Sequence, residues 1–226
     1  MALFGGGWAA NLSAVTVASS CRRGTEWLWG TLFLALVGVA MRVHNAFALP
    51  KHWGFDANFN WEYIELLTRS WALPAPDDGW SMGHPPFFYY AAALLARGMD
   101  PASVESISIA IRLASSGVGI VAVGAAVWLL VGFDPEGRRR AFLAAGLMLL
   151  LPVHVYMSAM LGEEILATSL LSLAVMGVAV DLVRRPALRR ALWRAAVWGL
   201  VAGLAFLTKL SGVLGIAAVE IGRAHV

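Results

Sequence analysis

The chain has 226 residues, of which 59% are apolar and only 14% charged. With a mean hydropathy of +0.71, this composition excludes an ordinary soluble domain and favours a protein that lies in a bilayer. The net charge of +3 does not indicate a nucleic-acid partner, because the arginines lie in short clusters between apolar runs, as membrane topology requires. A single cysteine, Cys21, excludes an internal disulfide.

Five apolar runs approach the length of about 20 residues that a helix needs to cross the hydrocarbon core. They are residues 27–47, 107–133, 141–161, 165–183 and 195–219. The sequence therefore predicts an all-α fold, a polytopic transmembrane helical bundle of about five spans. The first run lacks the form of a cleavable signal, so we expect it to remain as an anchor behind a cytoplasmic tail of residues 1–26.

Clustered arginines predict the orientation of these spans. Two arginines precede the first span, three lie at residues 138–140, and five lie between residues 184 and 194. By the positive-inside rule all three clusters are cytoplasmic. Residues 85–96 are apolar but, at about 18 Å as a helix, too short to cross. We therefore expect residues 48–106 to form one long extracytoplasmic loop of a multi-pass protein in the cell's inner membrane.

Two short helices are expected inside this loop. Residues 59–71 predict an amphipathic helix on the membrane surface. Its apolar face is formed by Phe59, Tyr63, Leu66, Leu67 and Trp71, and its polar face by Asn60, Glu62, Glu65 and Arg69. Prolines and a glycine at residues 73–79 predict a turn. The pair Pro85-Pro86 then predicts the start of a second interfacial helix, whose aromatic side chains suit the headgroup level.

Ionisable residues from distant parts of the sequence converge at one depth when a helical rise of about 1.5 Å per residue is applied. They are Asp56, His84, Arg112, His154, Glu163, Glu164 and Lys209. A charged group inside a span costs about 2.5–3.5 kcal/mol on insertion scales and usually faces a cavity or a partner. Two cations opposite carboxylates are typical of a site that holds an anionic phosphate beside a proton acceptor.

Each of these residues also has a simpler interpretation, which the sequence leaves open. Arg112 can snorkel to the interface, Lys209 can neutralise a carboxylate, and His154 can be a packed histidine. The glutamate pair is compatible with a solvated turn, and His84 with a helix cap. No pair has the spacing of a metal-binding motif, so no metal ligand is assigned. A divalent cation held by the carboxylates remains open as a cofactor.

Five segments carry a family resemblance. They are FDANFNWEYIELL, LPAPDDGWSMGHPPFFYY, AIRLASSGVGI, LLPVHVYMSAMLGEE and GLAFLTKLSG. In this order and spacing they resemble five segments of the GT-C membrane glycosyltransferases. The first two resemble the first acidic loop and the "LP…HPPLYY" signature of that family. The other three resemble the start of its second helix, its third helix with the acidic loop that follows, and its "GLxxLTKxxG" fifth helix. The resemblance is to the protein-mannosyltransferase and aminoarabinose-transferase branch, glycosyltransferase family 39 and its relatives.

This resemblance implies an enzyme that transfers a sugar from a polyprenyl-phosphate donor, bound from the membrane lipid, to an acceptor protein, lipid or glycan on the extracytoplasmic face. The reaction would be an inverting displacement with Asp56 as the general base. Arg112 and Lys209 would hold the donor phosphate, while the donor and acceptor site would be shaped by His84, His154, Glu163 and Glu164. No glycine-rich nucleotide loop is present, which agrees with a lipid-linked donor.

The last six residues, IGRAHV, interrupt an apolar run and match the translation of a common sequencing adapter. We therefore expect residues 220–226 to be non-native. The resemblance then implies that residues 27–219 are the N-terminal part of a longer GT-C transmembrane domain, and that this part is inactive alone.

Two other classes of protein compete with the glycosyltransferase. A transporter or channel would line a path with the same polar groups, but such proteins often show inverted repeats and broken midplane helices, and the sequence shows neither. A noncatalytic membrane subunit that only presents its external loop would have no need of a buried lysine.

Overall fold

The computed structural model describes residues 26–51, 53–99 and 103–213. In these ranges the chain forms α-helices and one 3-10 turn, without strands. The elements are α1 (Glu26–Ala48), α2 (Ala57–Ser70), α3 (Phe87–Arg97), α4 (Val104–Phe133), α5 (Arg138–Leu150), α6 (Pro152–Ser158), α7 (Glu164–Arg184), α8 (Leu188–Thr208) and the 3-10 turn Leu210–Gly212. The predicted all-α class is confirmed. Of the predicted tail at residues 1–26, only Glu26 is described, as the first residue of α1; the other 25 residues, and the non-native end predicted at residues 220–226, lie outside the described residues.

Four of these helices, α1, α4, α7 and α8, are long and apolar enough to cross a membrane. The pair α5 and α6 makes a fifth span if it is counted as one broken helix. The predicted multi-pass helical bundle is therefore confirmed, with four continuous spans and one broken span.

The third predicted span is broken, and the prediction of one straight helix over residues 141–161 was wrong. The axes of α5 and α6 differ by 58°, and Leu151 between them is extended, with ψ of 120°. The physical reason is Pro152, which lacks a backbone N–H and disfavours helical backbone in the residue before it. The absence of broken helices therefore no longer argues against a transporter.

The fifth predicted span was also misplaced. Instead of residues 195–219, α8 covers residues 188–208 and ends where Lys209 is extended, with φ of −154° and ψ of 134°. The apolar residues of the sequence continue past this position, so the prediction extended the helix beyond it, whereas the backbone is no longer helical there. The last three arginines of the preceding link, Arg189, Arg190 and Arg194, belong to the first turns of α8. Residues 214–219 lie outside the described part of the chain.

The two short helices of the long loop form a cap on one end of the bundle. α2 and α3 pack on each other, and the rings of Tyr63 and Tyr89 stack with centroids 4.1 Å apart. Ile107 and Ile111 at the start of α4, and Leu161 in the link before α7, complete this core. We call this end of the bundle the capped end. It is where α1 and α8 finish and α4 and α7 begin.

The amphipathic helix exists as α2, but its buried face differs from the predicted one. Asn60 is only 3% exposed, whereas Phe59 and Trp71 are 40% and 42% exposed. Helical spacing alone assigned Asn60 to the polar face. It is buried because its side chain has hydrogen-bonding partners in α3 and in the link before α7, which satisfy its amide inside the core.

The predicted orientation can be tested by labelling with a membrane-impermeant maleimide. In a Cys21→Ser background, a cysteine placed at Asp77 is expected to react in intact cells, because Asp77 is exposed at the capped end. A cysteine at Glu136, exposed in the link between α4 and α5, is expected to react only after permeabilisation. The reverse pattern would contradict the assignment of the arginine-rich links to the cytoplasm.

Candidate functional site

The centre of the candidate site is an ammonium group between two carboxylates. Glu163 and Glu164 stand at the start of α7, and Lys209 directly follows α8. Because α7 and α8 are antiparallel neighbours, these two ends meet. The Lys209 Nζ atom lies 3.1 Å from Glu163 Oε1 and 2.9 Å from Glu164 Oε1. With both glutamates ionised, the three side chains carry a net charge of −1.

Neighbouring carboxylates stabilise the protonated form of Lys209. Burial disfavours the ammonium form, but the hydrogen bond to Glu164 and the charges of both glutamates outweigh it and raise the pKa of Lys209. An ammonium has three N–H donors, and two of those on Lys209 reach the glutamates within the described ranges. The side chain is 36% exposed, so a third donor can meet a ligand.

A polar network joins Glu163 to the cap. The Tyr89 hydroxyl lies 2.8 Å from Asn60 Oδ1 and 3.3 Å from Glu163 Oε2, and its single proton can be donated to either oxygen. Ser81 donates to the same Asn60 oxygen at 2.9 Å, and the Asn60 amide donates to the Leu161 carbonyl at 2.9 Å. Burial, and next the negative charge of Glu163, raise the pKa of Tyr89 far above its ordinary value of 10. Tyr89 therefore remains a hydrogen-bond donor at neutral pH.

His84 belongs to the same network. Its Nδ1 atom lies 3.2 Å from the Tyr89 hydroxyl and 3.6 Å from Glu163 Oε1. The structure therefore brings together four of the seven predicted residues, Lys209, Glu163, Glu164 and His84. It adds Asn60, Ser81 and Tyr89, which the sequence argument had not selected.

An apolar groove reaches this site from the side of the bundle. Its volume is about 760 Å³, and it lies between α4, the broken pair α5–α6, and α7. Most of its lining is apolar, but His154 and Glu164 contribute to its wall. A smaller cavity of about 150 Å³ contains Lys209, and Glu164, Thr168 and Leu171 line both spaces. The groove and the charged cluster therefore meet at Glu164.

Asp56 is linked to the polar network through its backbone. It immediately precedes α2 with φ of 55°, in the left-handed region, and its side chain is exposed. Its carbonyl accepts the Asn60 amide N–H at 2.8 Å, which places the two residues one helical turn apart. The carboxylate does not cap α2. Asp56 thus has an exposed carboxylate, four residues before Asn60 of the buried network.

Arg112 has partners other than the phosphate expected for it. It is fully buried, and its guanidinium donates to the carbonyl oxygens of Ala46, Leu49 and Pro50, at 3.3 Å and 2.6 Å for the first two. These carbonyls belong to the last turn of α1 and the residues after it, where a helix leaves its acceptors unpaired. Arg112 therefore holds the end of α1 against the start of α4, and it does not join Lys209.

His154 also lies apart from the charged cluster, paired with an arginine that the sequence argument overlooked. Arg42 is fully buried in α1, and its Nη2 atom lies 2.7 Å from His154 Nδ1. Its Nη1 atom donates to the carbonyls of Gly38 and Leu149. The sequence did contain a signal for Arg42, because an arginine within an apolar span usually has a functional or structural partner.

Replacement of Arg112 separates its structural role from phosphate binding. Arg112→Met is expected to lower the free energy of unfolding by about 2–4 kcal/mol, because it leaves buried carbonyls without donors. Chemical denaturation in mixed micelles measures this loss, and Arg69→Met, on an exposed helix surface, is the control. A stable Arg112→Met variant that only binds lipid phosphate more weakly would contradict this reading and favour the phosphate role.

Within the described residues, no three His, Cys, Asp or Glu side chains come together as ligands for a metal ion. The site is therefore described by its ammonium, carboxylates and hydroxyl groups. Comparison of the chain with protein-family models, curated protein sequences and solved structures finds no match.

Proposed function

We propose that the protein is an integral-membrane glycosyltransferase that moves a sugar from a polyprenyl-phosphate donor to an acceptor hydroxyl on the extracytoplasmic face. The observation that carries the proposal is the meeting of the apolar groove and the Lys209 cavity at Glu164. A lipid-linked sugar has the same two parts, a hydrocarbon chain and a charged headgroup. The groove suits the chain, and the remaining N–H of Lys209 can bind the headgroup.

The chemistry requires one base and one group that stabilises a leaving anion. The bond between the sugar's anomeric carbon and the phosphate oxygen breaks, and a bond forms between that carbon and the acceptor oxygen. Asp56 takes the acceptor's proton, and the electron pair of the broken bond stays on the phosphate. The third N–H of Lys209 stabilises the charge that develops there, and the two glutamates fix the position of the ammonium.

A transporter of lipid-linked or amphiphilic molecules is the second candidate. One observation favours it: the groove lies beside the broken pair α5–α6, and broken spans often line transport pathways. The two candidates differ in chemistry, because a transporter moves its substrate across the membrane without forming a glycosidic bond.

Reconstituted vesicles can separate the candidates. A full-length version of the protein is placed in vesicles with a polyprenyl phosphate that carries a radiolabelled sugar, and a cell-envelope extract supplies acceptors. We expect the label to move from the lipid to the acceptor fraction, and boiled protein should give none of this transfer. Donor recovered intact but moved to the other leaflet would favour the transporter. Donor recovered intact and unmoved, with folded protein, would refute both candidates.

A further inference from the structure

The candidate site has too few free cationic groups to bind a lipid phosphate strongly. Lys209 shares its charge with two glutamates, and Arg112 is bound to backbone carbonyls. A phosphate placed at the cluster would meet a local net charge of −1, which repels it. A further donor on the wall of the groove, which meets the cluster at Glu164, would strengthen the binding of a phosphate there.

His154 is such a donor, because Arg42 fixes where its proton lies. A guanidinium has only donors and stays protonated. With Arg42 Nη2 at 2.7 Å from His154 Nδ1, the Nδ1 atom must therefore be the acceptor. A histidine that accepts at Nδ1 carries its proton at Nε2. The ring is thus a neutral imidazole with one defined N–H.

The residue that carries this N–H lies on the wall of the groove. His154 lines the groove opposite residues of α7, and its Cε1–Nε2 edge rests against Gly119 of α4, where an added Cβ would be 3.0 Å from Cε1 and 3.7 Å from Nε2. Within the described residues the Nε2 atom has no hydrogen-bond acceptor. A donor that faces hydrocarbon without an acceptor is costly, so the geometry indicates a ligand oxygen at this point of the groove.

We propose that His154, held by Arg42, donates from Nε2 to a phosphate oxygen of a lipid in the groove, and that it selects a lipid phosphate over the corresponding lipid alcohol. The identity of that lipid as a polyprenyl phosphate rests on the proposed function. The guanidinium of Arg42 satisfies the Leu149 carbonyl at the break between α5 and α6, and this structural role accounts for the arginine. It leaves the N–H of His154 unexplained, and the phosphate contact explains it.

The binding test uses the whole chain in detergent and native mass spectrometry. The probes are a polyprenyl monophosphate, the polyprenol of the same length, phosphatidylglycerol and inorganic phosphate. We expect the wild type to bind the polyprenyl phosphate more tightly than the polyprenol. His154→Phe should weaken phosphate binding about tenfold or more, because a hydrogen bond to a charged group is lost, and should leave polyprenol binding unchanged.

His154→Gln and Met176→Leu are the matched controls. Glutamine at position 154 retains an N–H donor and should keep much of the preference for phosphate. Met176 lines the same groove, and its replacement by leucine changes shape without changing polarity, so it should affect polyprenol and polyprenyl phosphate equally. Phosphatidylglycerol or inorganic phosphate that binds in a His154-dependent way would support the site and identify a different source of the phosphate.

A second measurement reads the tautomer directly. Nitrogen-15 NMR of histidine-labelled protein, with His154→Gln to assign the signal, should show a protonated Nε2 and a bare Nδ1, and the Nε2 signal should shift when polyprenyl phosphate is added. A proton on Nδ1, or equal losses of phosphate and alcohol binding in His154→Phe, would overturn the inference. His154-dependent phosphate binding without sugar transfer would refute the proposed function alone, whereas sugar transfer with an unaffected His154→Phe would refute the inference alone.

Discussion

Replacement of Asp56 by asparagine in a full-length version of the protein is expected to lower the rate of sugar transfer by about 10²–10⁴-fold, because the acceptor loses its general base. The fold should survive the change. Asp56 has a φ of 55°, and asparagine tolerates the left-handed region as well as aspartate does. Initial transfer rates in vesicles, together with the thermal midpoint of unfolding, measure the two effects separately.

The control for this prediction is Asp77→Asn, which removes an exposed carboxylate from the same loop and should leave the transfer rate unchanged. Asp56→Ala is a poorer test, because alanine in a left-handed conformation adds backbone strain of about 1 kcal/mol or more. An Asp56→Asn variant with the transfer rate of the wild type would remove the general-base role from this residue.

Replacement of Lys209 by methionine is expected to destabilise the protein by about 3 kcal/mol and to stop transfer. The change leaves Glu163, which is only 2% exposed, without its cation, and breaking a buried ion pair typically costs about 3–5 kcal/mol. The lower end of this range applies because the Lys209 side chain is 36% exposed. Chemical denaturation in mixed micelles measures the loss of stability.

Two further variants test the physical reason. Adding Glu163→Gln to Lys209→Met should restore part of the stability, because it removes the uncompensated buried charge. Lys209→Arg should keep most of the stability, since the charge remains. A Lys209→Met variant as stable as the wild type would show that Glu163 is protonated or solvated in the native protein.

The spans were predictable because the thickness of the bilayer fixes their length, and apolar runs of that length are visible in any sequence. The break at Pro152 was harder to predict, since transmembrane helices often continue through a proline when neighbouring groups satisfy the freed carbonyls. Here the Arg42 guanidinium satisfies the Leu149 carbonyl. The contact that satisfies this carbonyl at the break thus comes from a residue 107 positions away.

The candidate site was predictable only where charge and depth carry the information. Lys209 and the glutamate pair could be selected because charged groups at that depth need partners. Asn60 could not, because its burial depends on the Leu161 carbonyl, 101 residues later in the chain, and no local pattern encodes that contact. Arg112 was placed at the right end of the bundle, but depth along a helix does not reveal which acceptors a side chain meets.

The distance in sequence between Arg42 and its partners has a consequence for biogenesis. Leu149 and His154 follow Arg42 by 107 and 112 residues. At a translation rate of about 5–20 residues per second, they leave the ribosome roughly 5–20 s after α1 does. During that interval a lone guanidinium in lipid would cost about 2.5–3.5 kcal/mol. We therefore expect the nascent α1 to stay beside the protein-conducting channel, or bound to an insertion chaperone, until α5 and α6 are inserted and contact Arg42.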